Sequence, residues 1–280
     1  MPEGDTIFRS ATALRRALVG GVVQRAGAQP RPGLSRVPRL SRLVGAQVEV
    51  VEARGKHLLI GFSVGLWLRT HMRMRGSWHR YRVGEAWRLP ASRASCWLET
   101  ETAVAVCFDA PEVELLRGGE LERHPALSTL GPDLLAPAFD AEEAVRRLRA
   151  VPERALGIAL LDQRAMAGIG NVYKSEICFI EERDPWAPVR RLSDDGLLHL
   201  VSTARRLLLA NVSSTAGGRR VTTGVPVPGR SLWVYGRAGR PCRRCGTLIL
   251  GRRQGEQGRM TYWCPRCQGP GPGRVSGELA

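Results

Sequence analysis

Near the N-terminus the apolar positions recur at helical spacing: Ile7, Ala11, Leu14 and Leu18 share one face, and Arg9, Arg15 and Arg16 are polar. The pattern predicts one amphipathic helix over 2–19. Pro2 would sit in its first turn, where no backbone donor is needed, and Gly20-Gly21 would stop it. From 22 to about 118 the period changes to that of strands, in runs such as QVEVVEA, KHLLIGF, GLWLRTHM, SCWLET and AVAVCF set between glycine, proline and arginine turns. The segment LSTLGPDLLAPAF (127–139) is broken by Gly131, Pro132 and Pro137 and reads as a connection. Helical patterns follow: DAEEAVRRLRA, with Asp140 and Glu143 at capping-box spacing, then ERALGIALLD, NVYKSEICFIEE and SDDGLLHLVSTARRLLLANV. A GGRR loop (217–220) leads to a cysteine-rich module.

These shifts predict an α+β chain without internal repeats. Its parts are a helix-led β domain over 1–128, a linker over 129–139, a helical domain over 140–228, a cysteine module over 229–268 and a disordered tail over 269–280. Hydrophobic residues make up 43% and charged ones 24%, a globular composition. Lysine plus arginine exceed aspartate plus glutamate by 42 to 26, a formal charge of +16 that favours a polyanionic partner such as nucleic acid. Lysine occurs only at Lys56 and Lys174, so compositional bias accounts for arginine over lysine but not for the net excess. No run reaches the roughly 18 apolar residues of a membrane span, and no secretory signal opens the chain. A cytoplasmic location with no membrane partner is therefore expected, and nothing signals an oligomer, so a monomer is expected.

Of seven cysteines, four lie in the pattern Cys242-x2-Cys245-x18-Cys264-x2-Cys267. That spacing fits a four-thiolate zinc ribbon, closed and structural rather than catalytic. Between the pairs, TLIL and MTYW flank the polar turn GRRQGEQG and predict a hairpin. Arg252, Arg253 and Arg259, beside Tyr262 and Trp263, then suit phosphate contact. In MAGIGNVYKSE, Gly168 and Gly170 precede a helix starting near Asn171, a place where backbone N–H groups attract anions. It is no dinucleotide fingerprint, because Tyr173 stands where the third glycine belongs and no strand precedes it. With Lys174 adjacent, a phosphate clasp is expected.

The chain opens MPEGDTIFRS. Removal of the initiator methionine would leave Pro2 with a free secondary amine, and an α-amino group titrates at about 7.7–8.0. Such an amine attacks an aldehyde carbon to give an iminium ion, and Glu3 could supply a proton to a departing oxygen. Taken alone, MPE also begins many inert proteins.

Four motifs in this order, MPEG, ARGKHLL, GIGN and GRMTYWCPRCQ, resemble the formamidopyrimidine-DNA glycosylase/endonuclease VIII family from residue 2 to about 268. The resemblance implies a β-sandwich domain with its N-terminal helix, a helix–two-turns–helix domain and a zinc finger holding one structural Zn2+. It implies a bifunctional glycosylase and AP lyase of base-excision repair, acting on double-stranded DNA with oxidised bases or abasic sites. Pro2 would attack C1′, Glu3 would protonate the ring oxygen, and Lys56 would approach the lesion phosphate. Asn171 and Arg259 would grip flanking phosphates, and β,δ-elimination would follow. THMRMRGSW (70–78) aligns with the family's intercalation loop and puts Arg73, Met74 and Arg75 at the vacated stack, with Met74 as the wedge.

MPEG and the acidic DAPEVELL (109–116) resemble the endonuclease VIII branch, which favours oxidised pyrimidines, whereas Met74 resembles the purine branch. Thr6 departs from the family's glutamate, and Asp5 could take over its role; activity is expected to survive because Pro2 and Glu3 are present. Two alternatives stand beside this reading: an enzyme for oxidised purines (8-oxoguanine, formamidopyrimidines), and a noncatalytic zinc-ribbon protein that binds distorted DNA. Only Pro2, Glu3 and Lys56 separate the enzyme from the binder.

Overall fold

The computed structural model describes residues 2–30, 37–213 and 220–272, and the chain divides into two compact units between Leu130 and Gly131. Residues 217–219 of the expected GGRR loop and the tail beyond 272 lie outside the described residues.

The first unit begins with α1 (Gly4–Leu18), whose Ile7, Ala11, Leu14 and Leu18 are all at most 1% exposed. The helix starts later than the periodicity predicts. Glu3 is extended (φ −127°, ψ −176°), and its carbonyl accepts the N–H of Thr6 and Ile7, so the ladder begins there and Pro2 stands ahead of it. Eight strands follow: β1 (Arg25–Ala28), β2 (Val48–Arg54), β3 (His57–Phe62), β4 (Leu66–His71), β5 (Ser77–Arg82), β6 (Ala94–Glu99), β7 (Ala103–Phe108) and β8 (Glu112–Arg117). They form two antiparallel four-stranded sheets, ordered β1-β6-β7-β5 and β2-β3-β4-β8. The inner faces contribute Val48, Val51, Leu58, Ile60, Leu68, Leu98, Ala105 and Cys107 to one core with α1. Each fully buried aliphatic side chain there contributes about 1.5–3 kcal/mol. The outer face of the second sheet is covered by α2 (Gly118–Glu122) and α3 (Pro125–Ser128), through Leu121 and Leu127 over Leu59, Trp67 and Leu116. β3 is thus buried on both sides, which explains its unbroken apolar run.

The second unit holds α4 (Ala141–Arg149), α5 (Leu156–Ala159), α6 (Asn171–Ile180), α7 (Asp194–Ser213), β9 (Leu250–Gln254), β10 (Arg259–Trp263) and α8 (Pro265–Gln268). Asp140 caps α4 by accepting the N–H of Glu143 at 2.8 Å. The Glu143 carboxylate turns to Arg146 and Arg147, a helical ion-pair arrangement. Residues 171–179 of α6 are all buried, because α5, α7, α8 and β10 all pack against it. The β9–β10 hairpin extends further toward its tip than the sequence predicts: Arg252 and Arg253 lie within β9, paired with Thr261 and Met260. No helix among the described residues is long and apolar enough to cross a membrane.

Candidate active site and metal centre

In the first unit, Pro2 is partly exposed while the next side chain, Glu3, is 0% exposed. Asp5 is equally buried at the start of α1, where a carboxylate suits the positive end of the helix dipole. Thr6 Oγ1 donates to Asp5 Oδ1 at 3.4 Å, and Arg9 lies 3.7 Å from its other oxygen. Lys56 is partly exposed on the tight turn between β2 and β3, closed by the pair Arg54–His57. Gly55 takes φ 57° there, a left-handed conformation that a glycine adopts without a steric penalty.

The loop 72–76 carries Arg73, Met74 and Arg75, all exposed, with Met74 at 57%. Arg73 holds φ 46°, which costs a non-glycine residue about 1–2 kcal/mol. Two contacts hold it: its N–H donates to His71 Nδ1 at 3.3 Å, and its Nε donates to Glu112 Oε1 at 2.5 Å. The other Glu112 oxygen accepts from Arg69 NH2 at 3.0 Å. Arg69 is 1% exposed and also donates to Glu114 at 2.7 Å and to His57 Nδ1 at 3.0 Å. Burial, followed by the positive charge of Arg69, pushes His57 down to about 2. Burial also pushes His71 down to about 4 against the pull of Glu112. Both rings are therefore neutral at pH 7 and accept hydrogen bonds. Burial opposes ionisation of Glu112, but His71, Arg69 and Arg73 outweigh it and lower its carboxyl below the usual range.

This cluster is not in the sequence reading. An arginine inside an apolar strand, with Glu-x-Glu on another, is the only signal. Its meaning depends on register, which sets Arg69 opposite Glu114, and His71 opposite both Glu112 and His57.

In the second unit, Gly168 at φ 113° shapes the turn ahead of α6, and Gly170 caps it. Asn171 is 6% exposed; its Nδ2 donates to the Met260 carbonyl at 2.7 Å, and its Oδ1 is buried without a partner among the described residues. Lys174 corrects the sequence expectation. It is 0% exposed, and its Nζ donates to Thr261 Oγ1 at 2.6 Å, so it ties α6 to β10 instead of facing a phosphate. Arg259 is partly exposed at the hairpin tip, with its Nε on Gln257 at 3.2 Å, and lines a cleft of about 520 Å³ shared with Arg154 and Arg164.

Glu176, also unanticipated, is fully buried. It accepts the backbone N–H groups of Trp233, Val234 and Tyr235 at 2.8–2.9 Å and the Thr222 hydroxyl, anchoring the segment that leads into the cysteines.

The sulfurs of Cys242, Cys245, Cys264 and Cys267 all lie within 4.8 Å of one another, with Cys242–Cys267 at 4.0 Å and Cys245–Cys264 at 3.4 Å. Tetrahedral Zn–S bonds of about 2.3 Å require sulfurs about 3.8 Å apart, so the four thiols are placed to hold one metal ion.

The family models of the formamidopyrimidine-DNA glycosylase N-terminal domain and of its H2TH domain match residues 1–118 and 130–223. A probable endonuclease 8 2 of Streptomyces coelicolor is 46% identical over 278 residues, 97% of this chain and 96% of that protein. A Mycolicibacterium smegmatis protein named DNA-(apurinic or apyrimidinic site) lyase Nei2 is 46% identical over 271 residues, 96% of this chain and 99% of its own. The crystal structure of MutM (Fpg) from Thermus thermophilus matches at a TM-score of 0.77 and 28% identity, over 97% of this chain and 100% of that one. Lactococcus lactis Fpg, solved with DNA containing an abasic site, shares the fold at a TM-score of 0.80 and 21% identity, over 95% and 99% of the two chains.

Proposed function

Because the chain belongs to the formamidopyrimidine-DNA glycosylase family and is a DNA glycosylase and AP lyase of DNA repair, we propose that it excises oxidised bases, pyrimidines foremost, through a Schiff base on Pro2. The observation that carries this reading is the arrangement at the N-terminus: a partly exposed proline ahead of the helix, followed at once by a fully buried carboxyl group.

In the proposed reaction the Pro2 nitrogen bonds to C1′ as the base departs, the proton that the amine loses balancing the one the base takes up, and Glu3 gives a proton to the ring oxygen as the sugar opens. The resulting iminium acidifies C2′, so loss of that proton expels the 3′ phosphate. A second elimination expels the 5′ phosphate, and water then frees the proline. Lys56 on its tight turn approaches the lesion phosphate. Asn171 spends one amide N–H on Met260 and offers the other to a flanking phosphate, which Arg259 also meets. Met74, exposed between two arginines, fills the stack that the base leaves. Cys242, Cys245, Cys264 and Cys267 would hold one structural Zn2+, which would brace the hairpin that presents Arg259 and supply no chemistry to the reaction.

The preference for pyrimidines is supported by the 109–116 segment, which offers no basic wedge; its two glutamates are taken up by Arg69, Arg73 and His124. The net charge of +16 supports duplex DNA as the partner.

Borohydride trapping tests the reading on duplexes carrying an oxidised pyrimidine, 8-oxoguanine or an abasic site, beside a Pro2→Gly variant and an N-terminally blocked protein. The expected result is an adduct that needs the free proline and forms best on the pyrimidine lesion. DNA binding with no adduct even at the abasic site would sink it. Best trapping on 8-oxoguanine would reverse the substrate preference alone.

A further inference from the structure

The Arg69–Glu112–Arg73 chain has no part in the sugar chemistry, yet it joins the two loops that the proposed reaction depends on. Arg69 touches His57, the residue after Lys56, and through Glu112 it reaches Arg73, the residue before Met74. An ion pair between exposed side chains would hold a loop weakly, because both partners keep their freedom and salt screens them. Glu112 differs. One of its oxygens is pinned by a buried guanidinium, so the other is presented to Arg73 from a fixed point. His71, kept neutral, accepts the Arg73 N–H from the same strand face. Together these contacts keep Arg73 in its left-handed conformation, and that turn of the chain sends Met74 outward.

We propose that Glu112, pinned by Arg69, is a positioning residue that clamps the 72–76 loop with Met74 presented and so governs extrusion of the damaged base rather than the reaction at the sugar. The inference rests on the reading of Met74 as the wedge. A loop already ordered loses little freedom when it enters DNA, whereas a released loop must be ordered at the moment the base leaves the stack.

The test uses the full-length enzyme under single-turnover conditions on two duplexes: one with dihydrouracil, read as base release, and one with a preformed abasic site, read as strand cleavage. Glu112→Gln keeps the size of the side chain and removes its charge. Arg73→Ala removes the other end of the clamp from an exposed position and leaves Arg69 and Glu112 paired. Glu112→Gln is expected to slow base release by about tenfold while abasic cleavage stays within about twofold; Arg73→Ala is expected to slow base release as much, and the double variant should release base no more slowly than either single one. A 2-aminopurine beside the lesion should report slower unstacking in the same variants.

Unchanged rate ratios, additive losses in the double variant, or an equal fall of both rates with a lowered melting temperature would each overturn the clamp. A wild-type protein that cleaves neither duplex would instead remove the lyase reading on which the clamp stands.

Discussion

Replacing Glu176 by alanine should open the segment leading into the cysteines without disturbing the first unit. The carboxylate is fully buried, and its two oxygens collect three backbone N–H groups and one hydroxyl. Alanine leaves those N–H groups facing an apolar void. An unsatisfied buried donor costs about 1–3 kcal/mol. The Val234 residue is fully buried, whereas Trp233 and Tyr235 are half-buried and can recover part of their hydration. The local cost is therefore on the order of 3–6 kcal/mol. Glutamine retains one acceptor oxygen but turns an NH2 group toward a backbone donor, so its effect should be smaller, about 2–3 kcal/mol.

Because an opening of part of the chain need not register in a global melt, the assay is amide hydrogen exchange resolved by residue. At about 1.4 kcal/mol per tenfold, the amides of 233–235 should exchange roughly 100-fold faster or more in Glu176→Ala. Those of β3 should keep their wild-type rates. Unchanged protection at 233–235 would show that the carboxylate does not hold the segment, and a matching loss in β3 would show that the damage is not local.

The buried histidines make the first unit sensitive to acid. His57 and His71 drop from 6.5 to about 2 and about 4 on folding, so below pH 6.5 the unfolded chain binds protons that the folded one refuses. Stability is full above pH 6.5 and falls as pH drops, by about 2 kcal/mol per histidine at pH 5. Urea unfolding at pH 7, 6 and 5 should show this slope, and His57→Gln, which keeps an acceptor for Arg69, should reduce it by about half; a flat wild-type profile would refute the assignment. Chelation should remove the metal and strip exchange protection from the β9–β10 hairpin, whose neighbours Phe179, Val234 and Ile249 share a small core with the cysteines. A metal-free protein with full hairpin protection would count against a structural metal.

Much of this protein is written in short-range pattern. The buried face of α1, the helix of α6, the two-residue turn bearing Lys56, and the paired cysteines all follow from periodicity and turn chemistry within a few residues. Such features depend on backbone dihedrals and neighbouring side chains, so the sequence alone determines them. Other features are decided by segments far apart in the chain. Lys174 reads as a phosphate contact because it follows a glycine turn, but β10 lies against α6 and supplies Thr261, so the ammonium group is buried in a hydrogen bond between residues 87 apart. Arg69 reads as one more arginine until the β4–β8 register brings two glutamates to it from more than 40 residues away. Pro2 reads as a first-turn residue, but the helix ladder starts from the carbonyl of Glu3. For these charged groups the destination is a matter of which buried partners are within reach. Only the tertiary structure chooses those partners, because the cost of burying an unpaired charge is assessed over the packed whole and not along the chain.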